Sequence, residues 1–383
     1  MKVGIVAGEK SGDYLGAELI SVIKSRYPDA EFVGLCGPLM QAQGAQSLAE
    51  MEKISIMGFD GLLGSIGEIL AIRKKIKLHM LEWKPDVFIG IDVPDFNLTL
   101  EKKLKASGIP TVHYVSPTVW AWRGGRIKKI RKAINMMLTL FPFEEGYYQN
   151  KQTPVKYVGH PLASSIINWK SEAGFIQKYK PEGKRLVAVL PGSRMGEVGR
   201  LAPIMIEGVK QLAAKYPDLC FVLPAANDKI KKYLIEELNI ESSPIQVIDG
   251  QSRELLAICD MTVLASGTAA LEAGMFAKPM VVMYRVSQLS KWYASRTMQV
   301  SHFSMPNHLT SPPIVPELIQ EDATVENMVS ELSRLIDDKT YYDHMHSVLS
   351  EITPSLHADS GELACDAIEK VIADHANTKV KQL

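Results

Sequence analysis

Short apolar runs alternate along this chain with longer helical patterns, and this rhythm constrains the fold more than any other feature. Residues 3–7, 32–35, 87–91, 111–115, 136–140 and 155–158 read as buried strands, with helix-length stretches such as 17–26 and 98–106 between them. A strand that returns parallel to its neighbour needs a crossover long enough to hold a helix, so the pattern predicts βαβ units and a parallel sheet. It pauses over residues 161–183, which are polar and turn-rich and read as a linker. It then resumes at 185–190, 220–223, 246–248, 261–265 and 280–284, predicting a second parallel sheet. Helical patterns follow at 325–337 and 360–373, the last placed to cross back onto the first sheet or to pack on a second copy, which leaves a homodimer open. A chain of 383 residues, 46% of them hydrophobic, suits two domains. The fold expected is α/β, two Rossmann-like lobes facing across a cleft that holds the ligand. Residues 1–165 form the first lobe, 166–354 the second, and 355–383 a terminal helix.

Composition excludes several classes. Lys and Arg together number 43, as do Asp and Glu, so the formal charge is zero and nucleic acid is not an expected partner. Cys36, Cys220, Cys259 and Cys365 are far apart with no C-x-x-C pair, which favours reduced thiols in the cytoplasm over a disulfide or metal framework. The opening MKVGIVAGEKSGD breaks at residues 8–13 before any secretory apolar stretch develops. No apolar run approaches twenty residues, so membrane contact is expected to be peripheral.

The chemistry-bearing motifs lie where predicted strands end. Gly8-Glu9-Lys10-Ser11-Gly12-Asp13 follows the first strand. Its glycines allow close backbone approach, and the next helix offers free N–H groups to an anion or a hydroxyl-rich ligand. The alternative is a tight turn with Ser11 or Asp13 as a helix cap. The spacing is neither G-x-G-x-x-G nor a Walker loop. A second strand ends at Asp92, in GIDVPDFN, where parallel sheets bind ligands and a carboxylate can serve as a general base. Asp95 and Asn97 can instead cap the following helix. HYVSPTVWAWR sets Trp120, Trp122 and Arg123 after another strand, suited to a sugar face, an acyl chain or a core anchor. His160 reads equally as a hinge residue or a satisfied polar group.

In the second half, Pro191-Gly192-Ser193-Arg194 follows a strand and echoes the Gly8–Asp13 turn. Arg194 has the shape for bidentate phosphate contact, or pairs with Glu197. Ala265-Ser266-Gly267-Thr268-Ala269-Ala270-Leu271-Glu272 places small residues at a strand end and helix start, where N–H groups face a phosphate. Glu272 lies one turn after Thr268, placed to accept both hydroxyls of a ribose. Residues 56–78 join apolar Phe59, Leu62, Leu63, Ile66, Ile69 and Leu70 to basic Arg73, Lys74, Lys75 and Lys77. Such a stretch meets an anionic membrane or acyl chains, or is a core helix with a solvated basic end.

The ordered set VAGEKSGD, GIDVPDFN, HYVSPTVWAWR, LPGSR, LASGTAALE and MPNHL resembles the lipid-A-disaccharide synthases over residues 6 to 309. The resemblance implies a glycosyltransferase-B fold and inverting transfer of 2,3-diacylglucosamine. The donor is UDP-diacylglucosamine, the acceptor the 6-hydroxyl of diacylglucosamine 1-phosphate, and no metal or other cofactor is expected. It implies an enzyme peripheral on the inner face of the cytoplasmic membrane. Carried over by position, Asp92 matches the base. Arg194 with its neighbours Gly192 and Ser193, and Ser266, Gly267, Thr268, Glu272 and Asn307 match the UDP-donor site. Gly8, Ser11, Gly12 and Asp13 match the loop near the acceptor and donor sugar. Leu62, Leu63, Ile66, Arg73 and Lys74 are the expected membrane or acyl contacts. Lys10 and Val93 depart from the small residues the family places there. The rival readings are a UDP-sugar 2-epimerase or hydrolase of the same fold and a non-catalytic, nucleotide-gated scaffold.

Overall fold

The computed structural model describes residues 1–55, 66–120, 124–150, 152–286 and 302–380. The chain divides into two compact units, Met1–Pro161 with the segment from Leu356 onward, and Leu162–Ser355.

The first unit holds β1 (Lys2–Ala7), β2 (Glu31–Leu35), β3 (Gln46–Ser47), β4 (Val87–Ile91), β5 (Thr111–Tyr114), β6 (Met136–Thr139) and β7 (Val155–Tyr157). They form one parallel sheet in the order β3-β2-β1-β4-β5-β6-β7. Side chains alternate across it, as the two-residue repeat of a strand requires. Val87, Ile89 and Ile91 of β4 enter one core cluster with helix Lys10–Arg26, while Phe88 enters the other with helices Ile66–Trp83 and Pro94–Ala106. Both faces are thus covered, which is why these strands read as continuous apolar runs. Helix Ser360–Val380 lays Ala364, Cys365, Ile368 and Val371 on the first of these clusters. Glu362, Asp366 and Glu369 of the same helix converge on Arg26.

The second unit holds β8 (Arg185–Leu190), β9 (Leu219–Ala225), β10 (Ile245–Asp249), β11 (Met261–Ala265), β12 (Met280–Tyr284) and β13 (Glu317–Ile319), all parallel, in the order β10-β9-β8-β11-β12-β13. Two features differ from expectation. The linker read over 161–183 carries helices Pro161–Ile167 and Ala173–Tyr179, the second burying Phe175 and Tyr179 one turn apart. The edge strands β3 and β13, two and three residues long, are too short to show a period in sequence.

Candidate active site

Strand order fixes where ligands bind. In the first sheet the chain builds outward from β1 to β3, then restarts at β4 and builds the other way. The crevice of such a sheet opens at the carboxyl ends of the two strands flanking the reversal, here β1 and β4. Ala7 pairs with Ile91, so Gly8 and Asp92 leave neighbouring strands at the same edge. The second sheet reverses between β8 and β11, which lead into Gly192-Ser193 and Ser266-Gly267.

At the first edge, helix Lys10–Arg26 begins earlier than its apolar pattern and absorbs Ser11, Gly12 and Asp13 into its first turn. Ser11 is exposed and Gly12 is buried. Asp13 is 3% exposed, and its carboxylate accepts from the backbone N–H of Leu39 (2.9 Å) and Met40 (3.0 Å). It therefore caps helix Pro38–Ala42, not its own helix. A Cβ on Gly8 would sit 2.5 Å from Val93 Cγ2 and 2.8 Å from Ile54 Cδ1. Gly8 makes room for the bulky Val93 side chain.

Asp92 (φ 52°) and Val93 (φ 42°) both adopt left-handed backbone conformations. For non-glycine residues this costs on the order of 1–3 kcal/mol each and persists only where surrounding contacts enforce it. The Asp92 N–H donates to the Tyr114 carbonyl at 2.8 Å. The Asn97 side-chain amide donates to the Asp92 carbonyl (2.8 Å) and the Ile91 carbonyl (3.3 Å), and Asp92 itself is half-exposed. Asn97 thus clasps the strand end instead of capping the helix. Asp95 is committed to Arg126, its carboxylate 2.7 Å from Nη2, and makes no cap.

Trp120 donates to Glu144 at 3.1 Å and meets Phe143 edge-on, which makes it an anchor in the first unit. Trp122 and Arg123 lie outside the described residues. The backbone N–H of His160 bonds the Leu356 carbonyl at 2.9 Å where the chain leaves and re-enters the first unit, and burial pushes its imidazole down to about 4. Leu62, Leu63 and the other residues from 56 to 65, and the Ile66 side chain, lie outside the described residues. Within helix Ile66–Trp83, Ile69 joins the core, in keeping with the core-helix alternative for this stretch. Arg73 packs over the Phe96 ring at 4.8 Å and donates to the Asp95 carbonyl, so its head is committed to the fold. Lys74 is exposed between Leu70 (53%) and Leu78 (54%), one turn away on either side.

In the second unit, a cavity of about 390 Å³ is lined by Gly192, Ser193, Arg194 and Glu197 from the β8 turn and by Ser266, Gly267, Thr268, Ala269 and Glu272 from the β11 turn. Gly192 has φ 122°, a conformation left to glycine, and a Cβ there would meet Glu197 Oε2 at 2.6 Å. The Ser193 N–H donates to Glu197 at 3.3 Å, so Glu197 shapes the turn. Arg194 is 84% exposed and 3.7 Å from Glu197, a contact too loose and solvated to hold it. Gly267, Thr268 and Ala269 at the start of helix Thr268–Met275 line the cavity, and a Cβ on Gly267 would meet nothing within 4 Å. Ser266 donates its hydroxyl to the Phe303 carbonyl at 2.8 Å.

Two residues acquire roles from tertiary contacts. Arg253 pairs with Glu272 at 2.9 Å and fixes its carboxylate at the cavity, a partner that no motif marks. The only signal for it is a third strand-to-helix turn, Gly250-Gln251-Ser252, on the same edge of the sheet. Asn307 is 4% exposed and fully used by its own chain. Its amide donates to the Val315 carbonyl (2.9 Å) and Glu317 (2.8 Å), and its oxygen accepts from Ile314 (3.0 Å) and Val315 (2.9 Å). The structure places it as a clasp on the segment that Ser266 also holds through Phe303.

A profile described as Lipid-A-disaccharide synthetase matches residues 3–368. The chain is 44% identical over 373 residues to the lipid-A-disaccharide synthase of Pseudomonas fluorescens strain SBW25, covering 97% of each chain. It is 41% identical over 380 residues to that of Aeromonas hydrophila, covering 97% of this chain and 98% of the relative. Among solved structures it is similar to the UDP-GlcNAc 2-epimerase of Neisseria meningitidis bound to UDP-GlcNAc, with TM-score 0.66, 14% identity and coverage of 97% and 100%. The UDP-GlcNAc 2-epimerase of Methanocaldococcus jannaschii is similar too, with TM-score 0.62, 13% identity and the same coverage. Those two likenesses establish the fold, two Rossmann-like units of the glycosyltransferase-B type, whereas identity along nearly the whole length establishes kinship. The chain is a glycosyltransferase and belongs to the lipid-A-disaccharide synthase family.

Proposed function

We propose that this chain transfers 2,3-diacylglucosamine from its UDP donor to the 6-hydroxyl of 2,3-diacylglucosamine 1-phosphate, with inversion to a β linkage and release of UDP. The observation that carries the reading is the cavity of about 390 Å³ where two strand-to-helix turns and Glu272 converge. First-turn N–H groups and the exposed Arg194 suit a diphosphate, whose negative charge grows as the anomeric C–O bond breaks. Glu272, held by Arg253, suits the ribose hydroxyls. Asp92 is the proposed base: its carboxylate takes the proton of the acceptor hydroxyl as that oxygen attacks the anomeric carbon, and the leaving electron pair stays on UDP. Gly8, Gly12 and Asp13 are proposed to shape the acceptor edge, with Ser11 exposed toward a ligand. Asn307 acts in this proposal by holding the cavity's flank.

Among the described residues no helix is long and apolar enough to cross a membrane. Leu70, Lys74 and Leu78 on one exposed stripe support peripheral contact with an anionic lipid surface. The deciding experiment is product analysis with UDP-diacylglucosamine, with and without the acceptor. UDP release that depends on acceptor and matches disaccharide formed is expected; equal release without acceptor refutes transfer in favour of hydrolysis, and donor converted to a second UDP-sugar without UDP release refutes it in favour of epimerisation.

A further inference from the structure

Asn97, Glu101 and His113 form a polar cluster with 0% exposure immediately behind Asp92. Asn97 and Glu101 lie one turn apart on helix Pro94–Ala106, and His113 lies on β5 in register with Gly90 of β4. His113 Nδ1 and Glu101 Oε1 are 2.7 Å apart. A Cβ on Gly90 would collide with Glu101 Oε1 and come within 2.9 Å of Asn97 Cβ, so the cluster packs directly on the glycine two residues before Asp92. Among the described residues Asn97 Oδ1, Glu101 Oε2 and His113 Nε2 have no hydrogen-bond partner. Buried polar atoms left so are costly, because each has given up its water without a replacement partner. A fold that needed only a helix–strand contact here would use apolar residues.

What the cluster does reach is the strand end. The Asn97 amide donates to the carbonyls of Ile91 and Asp92, and its backbone N–H donates to the Val93 carbonyl at 3.0 Å. One residue thereby engages three successive carbonyls around the two left-handed residues, Asp92 and Val93. We infer that Asn97, seated on the Glu101–His113 pair, is a positioning residue that holds Asp92 in its left-handed conformation and so aims the carboxylate at the acceptor hydroxyl. The inference rests on the reading of Asp92 as the base. Asn97 does not meet substrate; it acts through the backbone of the residue that does.

The test is a double-mutant cycle of Asn97→Leu with Asp92→Asn, reading kcat, the KM of both substrates, UDP affinity and thermal midpoint. Asn97→Leu keeps the volume and removes the donors. A base displaced by about 1 Å loses roughly 10²-fold in rate. Asn97→Leu is therefore expected to lower kcat by about 10- to 100-fold while both KM values and UDP affinity stay within about 3-fold. In the Asp92→Asn background the same change should lower the residual turnover less than about 2-fold, because no base remains to aim. An equal fold-loss in both backgrounds would mark Asn97 as merely structural and overturn the inference. Undiminished turnover in Asp92→Asn alone would instead remove Asp92 as the base. If Asn97→Leu does not accumulate folded, Asn97→Ala, which leaves room for water at the freed carbonyls, is read with the same outcomes.

Discussion

Replacing Gly267 by alanine separates phosphate binding from folding. Gly267 has φ 166°, extended backbone open to any residue, and a Cβ built there meets nothing within 4 Å. Alanine is a poorer N-cap than glycine by several tenths of a kcal/mol or more, while stiffening the unfolded chain returns about 0.4–1 kcal/mol. The two offset, so stability should change by less than about 1 kcal/mol. The methyl group, however, stands at the start of helix Thr268–Met275 beside the cavity of about 390 Å³. A diphosphate pushed off these N–H groups loses one charge-assisted hydrogen bond, roughly 1.5–3 kcal/mol, or about 10- to 100-fold in affinity. Calorimetric titration with UDP measures the loss, and a thermal melt measures the fold. Gly192→Ala is the contrast: its φ of 122° and its collision with Glu197 should cost stability and UDP binding together. A Gly267→Ala protein that melts normally and binds UDP within about 2-fold of the parent would refute the helix N-terminus as the diphosphate site.

Asp92→Asn should keep UDP affinity, since the cavity is built wholly from the second unit, and lose roughly 10²- to 10⁴-fold in turnover. Glu272→Ala should weaken UDP binding by about tenfold and weaken binding of 2′-deoxy-UDP less, compared by titration, because that ligand retains only one of the two ribose hydroxyls the carboxylate accepts. Burial pushes the Glu144 carboxyl up to about 7 from 4.5. The folded state then favours the protonated form, so its stabilising effect is full below about pH 4.5 and is lost as pH rises through about 7. Glu144→Gln should flatten that decline, worth about 3 kcal/mol, as urea midpoints across this range would show. Replacing Leu70 and Leu78 with serine should lower co-sedimentation with anionic vesicles at unchanged UDP affinity; unchanged sedimentation would count against the membrane stripe.

Most of the architecture was legible because its signals are local. Burial on both faces of a parallel strand forces an uninterrupted apolar run, and of the thirteen strands among the described residues eleven were legible as short apolar-rich segments. The exceptions are β3 and β13, too short to carry a pattern. Helices Pro161–Ile167 and Ala173–Tyr179 went unread because each is only seven residues long, about two turns, too short to display a helical period. At the site, Gly192, Gly267 and Glu272 were legible because each follows a strand end at short range. Arg253 was not, since its partner Glu272 is nineteen residues away across a separate βα turn. Asp13 and Asn307 were read from their motifs as loop and donor-site positions, yet their hydrogen bonds go to Leu39 and Met40 and to residues 314–317, and no local pattern could specify that.

By itself the sequence determined two parallel α/β sheets, the strand ends that bear glycine, carboxylate and arginine, and the family to which those motifs belong. Tertiary structure decided which strand ends meet. Only the orders β3-β2-β1-β4 and β9-β8-β11-β12 set Gly8 beside Asp92, and Gly192 beside Gly267, at the two points where the winding reverses. Only packing gave Asp92 its left-handed backbone with Asn97 beneath it. The reason is physical: apolar periodicity is written over a few residues, whereas strand order, and the strain it can sustain, depend on contacts between segments tens of residues apart.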